Sequence, residues 1–184
     1  SLPYTGPGAM GIGKPLMSIL HPNPKLPIWL GTGTEANVKM TAEIADGWLP
    51  LGLVPGNWKL YQGWVEAGFA RAGNGKSWQD FEIQASSTVI LTDDVRGALA
   101  RIKPRVALYV GGMGHRNINF HNQMMVRRGY ADAAARIQEL YLAGEKELAA
   151  KAVPDALVRD VSLIGSAGFV KERVAAFREA GVTA

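Results

Sequence analysis

The chain has 184 residues, 47% of them apolar and 20% charged, with a formal net charge of +4 and no cysteine. This is the composition of one globular domain with a sizeable core, and it excludes disulfides, thiolate chemistry and a Cys-ligated metal. No run approaches the roughly 18 to 20 apolar residues of a membrane span, and no Lys/Arg run exceeds Arg127-Arg128, so neither a membrane nor a nucleic-acid partner is expected.

The opening SLPYTGPGAMG has no basic region followed by an apolar one, so it does not read as a signal peptide. With no cysteine, a reducing cytoplasm is the expected location. The chain opens on Ser1 rather than Met, and an upstream start is expected. Residues 1–26 carry Pro3, Pro7, Pro15, Pro22 and Pro24 among Gly6, Gly8, Gly11 and Gly13. They read as a long irregular loop packed on a larger body. His21, between Leu20 and Pro22, reads as a structural or solvent-facing residue.

From Pro27 the pattern becomes regular. Ile28, Trp29 and Leu30 predict a strand, Gly31-Thr32-Gly33-Thr34 a loop, and Ala36, Met40 and Ile44 one face of a helix. Asp46-Gly47 ends that helix, and Gly47–Leu51 is a second strand. A glycine loop opening a helix presents backbone N–H groups and a positive dipole end to an anion. The same residues also suit a plain tight turn with a Thr N-cap. G-T-G-T is neither the dinucleotide fingerprint nor a P-loop.

Pro55-Gly56 is a turn, and Trp58, Tyr61, Val65 and Phe69 form a helical apolar stripe that ends at Gly73. Phe81–Thr92 predicts a third strand, buried on both faces. Asp93-Asp94 lie where the next helix should begin, and that helix, Arg96 to Val110, is interrupted near Pro104. Residues 27–114 thus read as three βα units. Residues 115–163 hold no strand candidate and read as a helical insertion. Residues 164–184 give a last helix, 168–180, with Phe169, Val170, Val174 and Phe177 inward and Gly181 at its end; Val182 would begin a further strand.

This order of signals resembles the luciferase-like monooxygenase superfamily, and within it the oxidoreductases that use the deazaflavin coenzyme F420. The resemblance covers essentially the whole chain. It rests on PIWLGTGTEANVKMTAEIADGWLPLG (27–52), FEIQASSTVILTDD (81–94), ALYVGGMGHRNINFHNQMMVRRGY (107–130), EAGVT (179–183) and the opening LPYTGPGAMGIGKP (2–15). The fold it implies is the C-terminal half of a (β/α)8 TIM barrel, with parallel strands and a helical insertion before the last βα unit. Strands five, six and seven would be Ile28–Gly31, Gly47–Leu51 and Phe81–Thr92. Four preceding strands would carry the ring site and much of the substrate pocket. The cofactor contacts it carries over are Gly31, Thr32, Gly33 and Thr34, with Asn37 one turn in. Asp46-Gly47-Trp48 matches the family pattern and reads as mainly structural.

The resemblance implies hydride transfer between coenzyme F420 and a small organic substrate; a homodimer is one assembly open to the complete protein. No catalytic acid or base carries over. An FMN-dependent monooxygenase would use nearly the same phosphate site, and an inactive partial barrel needing its other half is the reading from a different class. His115 and His121 lack acidic or Cys neighbours, so no metal is expected there. Arg116, Arg127 and Arg128 read as a solvated helix face, with an anionic cofactor tail as the alternative they would suit.

Overall fold

The computed structural model describes residues 6–9, 19–21 and 23–184. Most of the expected loop 1–26, including much of the 2–15 stretch, lies outside them.

The first units form as the sequence rhythm predicts. β1 (Trp29–Thr32), α1 (Glu35–Ile44), β2 (Gly47–Pro50), a 3-10 turn (Pro55–Asn57) and α2 (Trp58–Ala72) follow in order. β1 and β2 are parallel, with Trp29 opposite Gly47 and Thr32 opposite Pro50. β3 (Glu82–Ile83) adds to β2 in parallel, with Trp48 opposite Ile83. Parallel neighbours require crossovers, and α1 and α2 supply them. At the chain end Thr183 N donates to Ile83 O at 2.8 Å and Ala85 N to Ala184 O at 3.1 Å, so 183–184 runs beside β3 where a further strand was expected.

The third strand differs from expectation. It is two pieces, β3 and β4 (Thr88–Leu91), and β4 belongs to a second sheet, paired in parallel with β5 (Ser162–Gly165). The small residues Ala85, Ser86 and Ser87 mark the step between sheets. The helical block therefore ends in a strand: α3 (Val95–Ala107), a π-helical turn (Leu108–Gly112), α4 (Phe120–Arg127), α5 (Ala131–Leu142), α6 (Lys146–Lys151) and α7 (Asp155–Asp160) lead into β5, and α8 (Ala167–Glu179) follows. Asp94 caps α3, its Oδ1 accepting from Gly97 N at 2.9 Å. Pro104 sits inside α3. Gly111 and Gly112 let Tyr141 of α5 lie against the π turn, since a Cβ on either would come within 2.5 Å of that side chain.

Two cores result. One joins Val38, Ala42, Trp48, Tyr61, Val65, Phe69 and Ile83 under β1–β3; the other joins Leu99, Val110, Ile137, Leu157 and Ile164 in the helical block. The α2 stripe is buried as predicted, but α1 is turned. Its buried side is Val38, Thr41 and Ala42, while Met40 and Ile44 are 40% and 67% exposed. The reason is Gly68 of α2, where a Cβ would stand 2.4 Å from Lys39 O and 2.5 Å from Ala42 Cβ, so the two helices touch along Ala42. On α8 only Phe177 of the four predicted inward residues is buried.

Candidate functional site

The register separates the two faces of the β1–β3 sheet. Trp48 lies under α1 and α2, fully buried. Side chains alternate along a strand and residues opposite each other share a face. Trp29, Gly31, Gly47, Leu49 and Glu82 therefore stand together on the other face. Gly47 allows this, because the Trp29 ring crosses it at a distance that leaves no space for a Cβ, 2.7 Å from Trp29 Cδ2.

The A-D-G-W turn is structural at each position. Asp46 Oδ2 accepts from Ile28 N at 2.8 Å, locking the start of β1. Trp48 Nε1 donates to Thr32 O at 3.0 Å, tying the end of β1 to β2.

At the C-terminal end of β1 the four loop residues are used differently. Gly31 is exposed on the open face, where a Cβ would meet nothing closer than Leu49 at 4.0 Å. The Thr32 hydroxyl bonds to Thr41 Oγ1 at 3.0 Å in the β1–α1 interface, so it points away from the loop mouth. Thr41 in turn donates to Asn37 O at 2.8 Å. Gly33 is buried: its Cβ would lie 2.7 Å from Phe120 Cζ and 3.2 Å from Leu51 Cβ. Its φ is not positive, so space rather than backbone conformation demands glycine here. Thr34 is the extended N-cap of α1, exposed, with no capping bond from its side chain. Asn37 is exposed one turn further on.

The first turn of α1 thus keeps its N–H groups without a side-chain cap, and the first helical carbonyl bond is Val38 N to Thr34 O at 2.9 Å. Glu35 beside it is ion-paired to Lys39, so its carboxylate is neutralised at this turn. An uncapped helix start with a free hydroxyl fits a phosphate. The fit centres on Thr34 and the first-turn N–H groups, not on the Thr32 side chain.

The helical block closes over this end. Phe120 covers Gly33, and Arg128 donates through Nη2 to Gly52 O. A cleft of about 220 Å³ lies between the ends of β2 and β3 and helices α3 and α4; Ser86, Arg105, Tyr109, His121 and Arg128 line it. The His121 ring meets Tyr109 edge-on at 4.8 Å, and burial pushes its imidazole below the ordinary histidine value. Arg128 is not the solvated residue that its helix pattern suggested. Burial lowers its guanidinium below the usual range, with Tyr61 and Asp160 opposing. Its Nε and Nη1 are buried without a hydrogen-bond partner among the described residues. Neither side chain could be placed from helical spacing alone, because Arg128 is held by Gly52 O after β2 and His121 by the Tyr109 ring of the π turn. Arg116 and Arg127 are exposed, as expected. His115 accepts from Asn117 N at Nδ1, 3.2 Å.

Comparison with known proteins gives consistent matches. The profile of the luciferase-like monooxygenase family matches residues 11–184. A Mycobacterium tuberculosis protein named, provisionally, as a coenzyme F420-dependent oxidoreductase is 43% identical over 183 residues, covering 99% of this chain and 53% of that protein. The chain therefore spans about half the length of the curated relative it matches. Among solved structures, a coenzyme F420-dependent tetrahydromethanopterin reductase from Methanopyrus kandleri superposes with TM-score 0.70 at 23% identity, over 86% of this chain and 43% of that one. An F420-dependent secondary alcohol dehydrogenase, in complex with an F420-acetone adduct, superposes with TM-score 0.61 at 15% identity, over 88% and 42%. These two likenesses concern the fold.

Proposed function

This chain belongs to the luciferase-like monooxygenase family, and we propose that it is the C-terminal half of an oxidoreductase that uses coenzyme F420. The 43%-identical relative carries that cofactor in its name. The observation that carries the reading is the uncapped start of α1 at the C-terminal end of β1, the end at which barrel enzymes place their sites. Thr34 Oγ1 and the first-turn N–H groups would hold the cofactor phosphate. Lys39 neutralises Glu35, the carboxylate beside that position. Phe120 and Leu51 keep water from the loop beneath. Bound F420 supplies a ring carbon that takes or gives a hydride. The open face bearing Trp29, Gly31 and Leu49 would form part of the wall against which substrate and ring are packed. The substrate is a small organic molecule. By itself the 1–184 chain is not expected to turn over, since the half of the barrel that would carry the ring site is not in it. A homodimer remains the assembly proposed for the complete protein.

Thr34→Asp tests the phosphate site without damaging the fold. Asp is as good an N-cap as Thr, but its carboxylate would occupy the anion position. In the full-length protein, fluorescence titration with F420 should show affinity weakened at least tenfold, about 1.4 kcal/mol, with the melting temperature unchanged or higher. Unchanged affinity would reject the site. Tight binding of FMN but not of F420 would move the assignment to a flavin-dependent monooxygenase.

A further inference from the structure

Between the two cores lies a second cleft, of about 340 Å³, with Val54 and Asn57 ahead of α2 on one side and Arg127, Arg128, Asp160 and Arg173 on the other. Three guanidinium groups share it with one carboxylate. That carboxylate accepts the Tyr130 hydroxyl at Oδ2, 2.8 Å, while Arg173 Nη2 donates not to it but to the Asp160 backbone carbonyl, at 3.0 Å. No ion pair joins any of the three arginines to a carboxylate among the described residues. Arg128 Nε and Nη1 and Arg173 Nε are buried with no hydrogen-bond partner among the described residues. Arg128 also lines the neighbouring cleft, so its side chain is the partition between the two.

Such an arrangement is unfavourable as a structural device. A buried cation is expensive to desolvate, and removing it in favour of an apolar side chain of similar length is often neutral or stabilising. Three like charges on one cleft add repulsion. What offsets both terms is an anion in the cleft: guanidinium forks match the geometry of carboxylate and phosphate oxygens, and charge-assisted bonds are the strong ones. We propose that the cleft bounded by Arg127, Arg128 and Arg173 is an anion-binding site for the phosphate or carboxylate group of a small molecule. It is separate from the start of α1 and stands whether or not F420 is the cofactor.

The test uses the full-length Thr34→Asp protein without F420 as its parent, so that the start of α1, itself proposed to hold a phosphate, does not contribute to the response. Thermal melts are recorded against inorganic phosphate and, separately, succinate, each compared with sodium chloride at matched ionic strength. A ligand that binds the folded state raises the melting temperature saturably. A saturable rise with phosphate alone assigns a phosphate group, and one with succinate alone a carboxylate; a rise with both supports an oxyanion site open to either. Arg128→Met should melt no lower than the parent in chloride, because it removes an uncompensated buried charge, yet bind the active anion at least about tenfold more weakly. Arg173→Met is the second variant should Arg128→Met not fold, with the same loss expected. The exposed Arg136→Ala should leave the response intact. No saturable rise in the parent overturns the proposal. So does an Arg128→Met or Arg173→Met protein that keeps the full anion response.

Discussion

The Phe120 ring occupies the space that a side chain on Gly33 would need, with its Cζ 2.7 Å from the position of a Cβ there. A residue of the helical block thereby sets the identity of a loop residue far earlier in the chain. Gly33→Ala should cost about 1–3 kcal/mol, the usual penalty for overpacking. In a Phe120→Ala background the same change should cost clearly less. Urea unfolding of the parent, both single variants and the double variant would give the coupling, expected at about 0.5–3 kcal/mol. Strictly additive costs would mean that the ring does not restrict Gly33. The same contact makes Gly33→Asp a poor probe of cofactor binding, since it would disturb packing and charge together.

The two loop threonines should separate stability from binding. Thr32 spends its hydroxyl on Thr41, which is fully buried. Thr32→Val should therefore lower stability by about 1 kcal/mol, the usual worth of one hydrogen bond, and leave F420 affinity unchanged. Thr34→Asp should do the reverse. Denaturant melts and fluorescence titrations on both variants would check this pair, and a cofactor defect in Thr32→Val would place the hydroxyl contact on the wrong threonine here.

Much of the fold was legible where periodicity and punctuation agree. The apolar run at Ile28–Leu30, the Gly/Thr loop and Asp46-Gly47 announce β1, α1 and β2 without help from distant residues. The break in the third strand was not legible, because it depends on partners remote in sequence. Ala85 pairs with Ala184 while Thr88 pairs with Ser162, and the small residues between them have no period of their own. β5 escaped notice because a four-residue SLIG following a helix looks like a cap. The face of α1 was misjudged because Gly68, not the spacing of Met40 and Ile44, decides which side meets α2. At the site, the glycine loop could be found from sequence, but the use of each threonine could not. The burial of Arg128 depends on Gly52, where φ is +104° and a Cβ would collide with Met124 Sδ.

His121 predicts a pH dependence. Burial lowers its folded-state pKa from the ordinary 6.5. Above that value both folded and unfolded forms are neutral and its contribution is fully present. As pH falls through the unfolded value, the unfolded chain binds a proton that the folded chain resists, so stability declines until the lower folded pKa is reached. Unfolding free energies between about pH 5 and pH 7.5, where histidine titrates, should fall more steeply towards acid in the parent than in His121→Phe, which keeps the ring contact with Tyr109. Equal slopes would show that His121 does not resist protonation in the folded state.

The outer side of β1 carries the last prediction. β1 pairs only with β2 among the described strands. Along the same side Leu26, Ile28 and Ile44 are 63%, 61% and 67% exposed, and Met40 is 40% exposed. Met40 and Ile44 share one face of α1, turned away from the buried side formed by Val38, Thr41 and Ala42. An uncovered strand edge flanked by large apolar side chains recruits another chain. If this chain is half of a barrel, the other half would supply the cover. Two substitutions, Ile28→Lys and Ile44→Lys together, should then act in opposite directions. In the isolated 1–184 chain, which should self-associate, they should shift sedimentation towards a monomer. In the full-length protein they should lower the melting temperature, because each would bury a lysine. A 1–184 chain that sediments as a monomer at every concentration, or a full-length variant that melts like its parent, would show that this edge is not where the rest of the barrel joins.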